Sequence, residues 1–172
     1  MKTLNWRGTS WTARNFIFSI EDEIIGQLTF GDNWSFNAAY TDKQTHLKFT
    51  QKSFWDRDVL VTSEGNTIGE IHSGPFSQQT LRLGNGERFS LSTSFWEQEA
   101  YWKTDKGETV VKYHQATMSS MAKGLITLEG DLGTEREILL VCSGLFARQM
   151  ARKRIARTAA IMIPMIAAAS RL

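Results

Sequence analysis

Cysteine, proline and long apolar runs are all scarce in this 172-residue chain, and each scarcity excludes something. The one cysteine, Cys142, cannot form an internal disulfide, which fits a reducing compartment. The two prolines, Pro75 and Pro164, leave the first 130 residues almost free of a residue that sheets exclude from their interior. The opening stretch Met1 to Trp11 has no apolar run of the length a secretory signal requires, so a cytoplasmic protein is expected. Ile138 to Ala147 is apolar but only about half of the roughly 20 residues a membrane-spanning helix needs. Nucleophile elbow, phosphate loop and dinucleotide fingerprint are all missing. Three histidines with no cysteine pair lack metal-ligand spacing, so no metal, cofactor or catalytic residue is expected.

Acidic residues are missing from the end of the chain. Of 20 Lys/Arg, six fall in residues 148–172, where no Asp or Glu occurs. Residues 1–147 hold 14 basic and 18 acidic residues, a balance of 14 − 18 = −4 against +6 for the tail. A body of that sign lacks the broad basic face of a nucleic-acid reader, so no nucleic-acid partner is expected.

What is abundant is short alternation of apolar and polar residues, repeated. Ile25-Gly26-Gln27-Leu28, Ile68-Gly69-Glu70-Ile71 and Val110-Val111-Lys112-Tyr113 recur at spacings of 68 − 25 = 43 and 110 − 68 = 42. Each follows an aromatic stretch (Ser10-Trp11, Phe54-Trp55, Phe95-Trp96) and a polar turn (Glu21 to Glu23, Ser63 to Asn66, Thr104 to Glu108) of hairpin composition. Trp34 to Tyr40, His46 to Phe49, Thr80 to Leu83 and Phe89 to Ser92 alternate in the same way between turn residues. Leu125 to Leu128 reads as a last strand after a connection over Met118 to Gly124. Many short strands at this spacing predict an all-β sandwich or barrel of ten to twelve strands, with six tryptophans and ten phenylalanines available to line it.

Glu137 to Arg148 then reads as a helix apolar on every side, which protein or lipid must enclose. The best enclosure for so short a run is the barrel, giving a sheet curled around helix 135–150. Thr134 and Glu137 have the spacing of a capping box, and Glu135 and Glu137 suit a helix N-terminus. Strand parity puts Gly26 with Leu28, Gly69 with Ile71, and Val111 with Tyr113 on one face. Glycine there is expected to admit the backbone of the axial helix, with Gly144 relieving crowding from the helix side; the alternative is that these glycines form bulges.

These Ile-Gly repeats, followed by an apolar Arg136-Glu137-Ile138-Leu139-Leu140-Val141 helix, resemble the tubby C-terminal-like superfamily, which includes LURP-one-related proteins and phospholipid scramblases. The resemblance covers residues 1 to about 150. It implies a twelve-stranded antiparallel barrel around a central hydrophobic C-terminal helix, and mainly non-enzymatic functions involving phosphoinositides or other phospholipids. No ligand-binding residue of the family matches a position here, and the chain continues about 22 residues beyond the helix.

That continuation, residues 151–172, is basic and then apolar. Arg148, Arg152, Lys153, Arg154 and Arg157 are candidates to face anionic headgroups, with Ile161, Met162, Ile163, Met165 and Ile166 contacting the membrane from an interfacial position. A tail that docks on a protein partner or on the barrel itself is the alternative. His72 and His114 occupy equivalent repeat positions and are expected to be polar strand-end residues. The paired carboxylates Asp56 and Asp58 align with Glu97 and Glu99; a hydrolase would need such a pair, but their duplication favours a solvated rim. Cys142 reads as packing rather than as a nucleophile.

Overall fold

The computed structural model describes residues 1–10, 14–31, 36–53, 56–74, 78–94, 98–116 and 121–154 in full, and residues 155–169 by their backbone. Twelve strands come first: β1 (Lys2–Gly8), β2 (Asn15–Ile20), β3 (Glu23–Phe30), β4 (Ala38–Thr41), β5 (His46–Gln51), β6 (Val59–Ser63), β7 (Asn66–Ser73), β8 (Gln79–Leu83), β9 (Arg88–Ser94), β10 (Glu99–Thr104), β11 (Thr109–Gln115) and β12 (Lys123–Leu128). One helix, α1 (Thr134–Ala169), follows. Each strand pairs antiparallel with the next, and β1 pairs with β12 to close the barrel, Leu4 standing opposite Ile126. The expected twelve-stranded antiparallel barrel with a helix on its axis is the fold observed.

Alternation explains the inward face. Leu4 and Trp6, Phe16 and Phe18, Leu28 and Phe30, Leu47 and Phe49, and Phe89 and Leu91 are all buried at period two. Eight strands already leave an interior that side chains alone can fill, so a twelve-stranded wall needs something more on its axis. Helix α1 supplies it: every residue from Leu139 to Ala147 is buried, as are Gln149 and Met150. Three wall side chains fasten the helix through spare lone pairs on its carbonyls. Trp102 Nε1 and the Tyr113 hydroxyl donate to the Leu140 oxygen at 3.1 and 2.6 Å, and Gln79 Nε2 donates to the Ala147 oxygen at 3.3 Å.

The repeat has a structural counterpart. In β2–β3, β6–β7 and β10–β11 the register slips by one residue, after Phe18↔Gly26, Val61↔Gly69 and Trp102↔Val111 respectively. The extra residues are Ile25, Ile68 and Val110, the positions that recur in the sequence. A bulge at each sharpens the local twist, which helps the sheet curl. Because the third bulge precedes Val111, the bulge does not require glycine. The glycines serve another purpose than the one expected. A Cβ on Gly26 would lie 2.2 Å from the Tyr40 hydroxyl, so this glycine clears the ring of a neighbouring strand. One on Gly69 would lie 3.0 Å from the Arg82 carbonyl oxygen. Neither makes room for the helix. Gly144 does serve the close approach, since its Cβ would fall 2.2 Å from the Tyr113 hydroxyl.

Other expectations need similar adjustment. Of the six tryptophans, Trp6 and Trp102 line the interior, while Trp11, Trp34, Trp55 and Trp96 lie outside the described residues, as do Phe54 and Phe95. The helix does not stop at 150 but runs for 36 residues. Arg148 interrupts the buried run, which resumes at Gln149 and Met150, and it does not end the helix. From Ala151 to Ile163 there is no glycine or proline, and Ala, Arg, Lys and Met are strong helix formers. At the other end, Glu137 does not reach back to Thr134 as in a capping box; its carboxylate pairs with Lys2 at 2.9 Å.

Candidate functional site

The barrel has two unlike ends. At one, tight turns such as Glu64-Gly65, both in the left-handed region, join β6 to β7, and α1 enters. At the other, longer connections join the strands and α1 leaves among the cations singled out in the sequence.

Arg148 stands within the mouth itself, partly buried. Its guanidinium is mostly buried in the mouth, with Nη2 near the Gln98 carbonyl oxygen at 3.5 Å and Gln115 Oε1 at 3.4 Å. Nη1 is buried without a partner among the described residues. Burial, followed by the charge of Arg152, lowers its pKa to about 10, so it remains a cation at neutral pH. Its place is that of a plug between the helix and the ends of β10 and β11. The next residues form a collar. Arg152 is exposed and donates to Gln115 Oε1. Lys153 Nζ stands 5.2 Å from the centre of the Phe30 ring. Arg154 donates to the Arg57 carbonyl oxygen at 3.2 Å and lies 5.8 Å from the Phe36 ring. Burial lowers the pKa of both Arg152 and Arg154, with Arg57 adding to the effect on Arg154. The Lys153 and Arg154 cations thus each meet an aromatic ring, a favourable electrostatic contact. The backbone at Arg157, Ile161, Met162, Ile163, Met165 and Ile166 is helical, and their side chains lie outside the described residues. Among the described residues, no helix is long and apolar enough to cross a membrane.

Beside this collar the two repeated histidines each meet a repeated carboxylate. His72 Nδ1 is 2.7 Å from Asp58 Oδ1, and His114 Nδ1 is 3.4 Å from Glu99 Oε1. The expected solvated rim is therefore corrected: the Asp58 and Glu99 side chains are only 17% and 15% exposed. Glu97 lies outside the described residues, and an Asp56 oxygen accepts the Asp58 backbone N–H at 2.9 Å. The first pair holds the end of β7 in place, since Asp58 also accepts the Ser73 N–H at 3.3 Å. No cluster capable of holding a metal occurs among the described residues.

Burial alone would raise the pKa of Asp58, but the bonds from His72 and Ser73 outweigh it and hold the carboxyl below its usual 3.8. A group depressed on folding adds stability above its unfolded value and loses it as pH falls through the folded one. Asp58→Asn should therefore lower the urea unfolding free energy by about 1 kcal/mol at pH 6. The difference from wild type should vanish at the acid end of the titration; a difference that stays constant across the whole acid limb would show that the carboxylate charge is not what matters.

A feature that the sequence did not reveal lies at the opposite end. A cavity of about 210 Å³ opens between α1 and the wall formed by β1 to β4 and β12. On the helix it is lined by Ile138, Val141 and Cys142, and on the wall by Leu4, Phe18, Ile25, Tyr40 and Leu128. It lies along a different part of the wall from β10 and β11, where Trp102 and Tyr113 bond the Leu140 oxygen. Burial, then Cys142 and Asp42, raises the pKa of Tyr40, whose hydroxyl donates to Asp42 Oδ2 at 2.8 Å. Burial raises that of Cys142 well above the usual thiol value, so the thiol stays protonated and is a packing group, not a nucleophile. Strand parity identifies most of the inward residues but carries no information on where the helix is seated between them. Comparison of the chain with protein-family models, with curated proteins and with solved structures finds no match.

Proposed function

We propose that this barrel is a non-catalytic module that docks on an anionic lipid surface through the mouth from which α1 leaves. The observation that carries the reading is the collar of Arg152, Lys153 and Arg154 around that exit, on a helix that continues through the apolar sequence 158–169. Cations beside an interfacial apolar helix are two weak anchoring signals that act together. Arg148 and Arg157 are the further headgroup candidates in this reading, and Ile161, Met162, Ile163, Met165 and Ile166 are the membrane-contacting residues. The proposal includes membership of the tubby C-terminal-like superfamily, whose expected architecture agrees with the closed barrel around an apolar helix, and a cytoplasmic protein peripheral to the membrane.

The test is co-sedimentation of full-length protein with neutral and with phosphoinositide-containing vesicles, at low and physiological salt. Wild type should bind the anionic vesicles in a salt-sensitive manner. Each basic residue near such a surface contributes about 1 kcal/mol, so Lys153→Glu combined with Arg157→Glu should weaken binding at least about thirtyfold. Equal binding to neutral vesicles, or none by a folded wild type, would sink the lipid reading and favour a tail that assembles with a protein partner.

A further inference from the structure

We infer that the cavity between α1 and the β1–β4 side of the wall binds a free, uncharged, hydroxyl-bearing hydrocarbon, such as a medium-chain alcohol. It lies at the end of the barrel opposite the basic collar, so this inference stands independently of membrane docking.

Size sets the first limit. An apolar cavity of roughly 150 Å³ accepts benzene, with six heavy atoms, so about 210 Å³ suits about eight. Chemistry sets the second. Leu4, Phe18, Ile25, Leu128, Ile138 and Val141 offer only apolar contact. The charges at the rim are already engaged: Lys2 pairs with Glu137 at 2.9 Å. Asp42 accepts the Gln44 and Thr45 N–H groups at 2.7 and 2.6 Å as well as the Tyr40 hydroxyl. These bonds outweigh the burial that would raise the Asp42 pKa, and they hold it below the usual value as an anion. A charged headgroup would have to break one of these pairs. The Tyr40 oxygen, by contrast, donates its one proton to Asp42 and keeps acceptor capacity for a ligand hydroxyl. A polar group of that kind also fixes orientation in an otherwise apolar pocket.

The probe is 1-heptanol, with heptanoate as the charged control, added to full-length protein in vesicle-free solution and followed by methyl NMR spectra. Saturable shifts are expected at the methyls of Leu4, Ile25, Leu128, Ile138 and Val141, with little change at Val61 and Leu81 on the far wall. Heptanoate should bind at least tenfold more weakly. Ile138→Trp, which fills the space, should abolish the saturable shifts. Should that variant not fold, the wild-type titration decides alone: shifts that do not saturate, that spread evenly over the core, or that heptanoate matches would overturn the inference. Vesicle binding that fails while these shifts appear would remove the membrane reading and leave this site intact.

Discussion

Gly144→Ala is expected to destabilise the protein by about 2–4 kcal/mol, although helix propensity alone would make it stabilising by about 1 kcal/mol. The added Cβ would fall 2.2 Å from the Tyr113 hydroxyl and 2.3 Å from its Cζ. Tyr113 is fully buried and cannot swing aside without giving up its 2.6 Å bond to the Leu140 oxygen. Either the helix moves off the β11 wall or the phenol loses its partner in an apolar interior, and a buried unpaired hydroxyl costs about 1–3 kcal/mol. For a domain of this size the melting temperature should fall by about 4–16 °C. Combining Gly144→Ala with Tyr113→Leu should recover part of the loss, because the clash and the orphaned hydroxyl disappear together. Additive losses in that double-mutant cycle would mean that the two residues do not meet as described.

The second large effect is expected at Phe146. Its ring is stacked between Phe30, at a centroid distance of 5.7 Å, and Phe49, at 4.7 Å. It is 1% exposed and joins the helix to strands β3 and β5 of the wall. Phe146→Ala should cost about 3–5 kcal/mol, because the curved wall is held by its own ladder and cannot collapse into the space left. Phe146→Leu should recover most of this. Urea denaturation of the three proteins provides the measurement, and a loss under 1 kcal/mol for the alanine variant would mean that the helix is not the filler of the barrel.

Much of this architecture was readable because strands advertise themselves by parity. Leu28 and Phe30, or Leu47 and Phe49, leave no doubt about which face is inside, and the recurrence at Ile25, Ile68 and Val110 marked three equivalent hairpins before any bulge was visible. The glycines were harder. Sequence says that Gly26 lacks a side chain, but not that Tyr40 from the adjacent strand occupies the vacated space. The surroundings of Arg148 were hard to foresee for a related reason. A cation after an apolar run looks like the start of solvent, and only the three-dimensional position of Gln98 and Gln115 reveals that it is enclosed. The Asp58–His72 and Glu99–His114 pairs were legible as repeats, whereas their meeting depends on registers that short strands leave open. The cavity was out of reach altogether, since it depends on where the helix is seated inside the wall, which no sequence pattern fixes.

Closure of β1 against β12 around α1 also has a consequence for biosynthesis. The segment that fills the interior follows all twelve strands in the chain, so the strands emerge while their inward faces have nothing to cover them. Until residues 139–150 are available, the nascent sheet carries two unpaired edges, β1 and β12, and an apolar concave surface, the features that make partly folded chains stick to one another. Joining the first strand to the twelfth and threading the helix between them are both contacts of long sequence separation, which form slowly. The growing chain thus has a vulnerable interval, ended by its own C-terminal helix, in which a chaperone holding the concave face would raise the yield of folded protein.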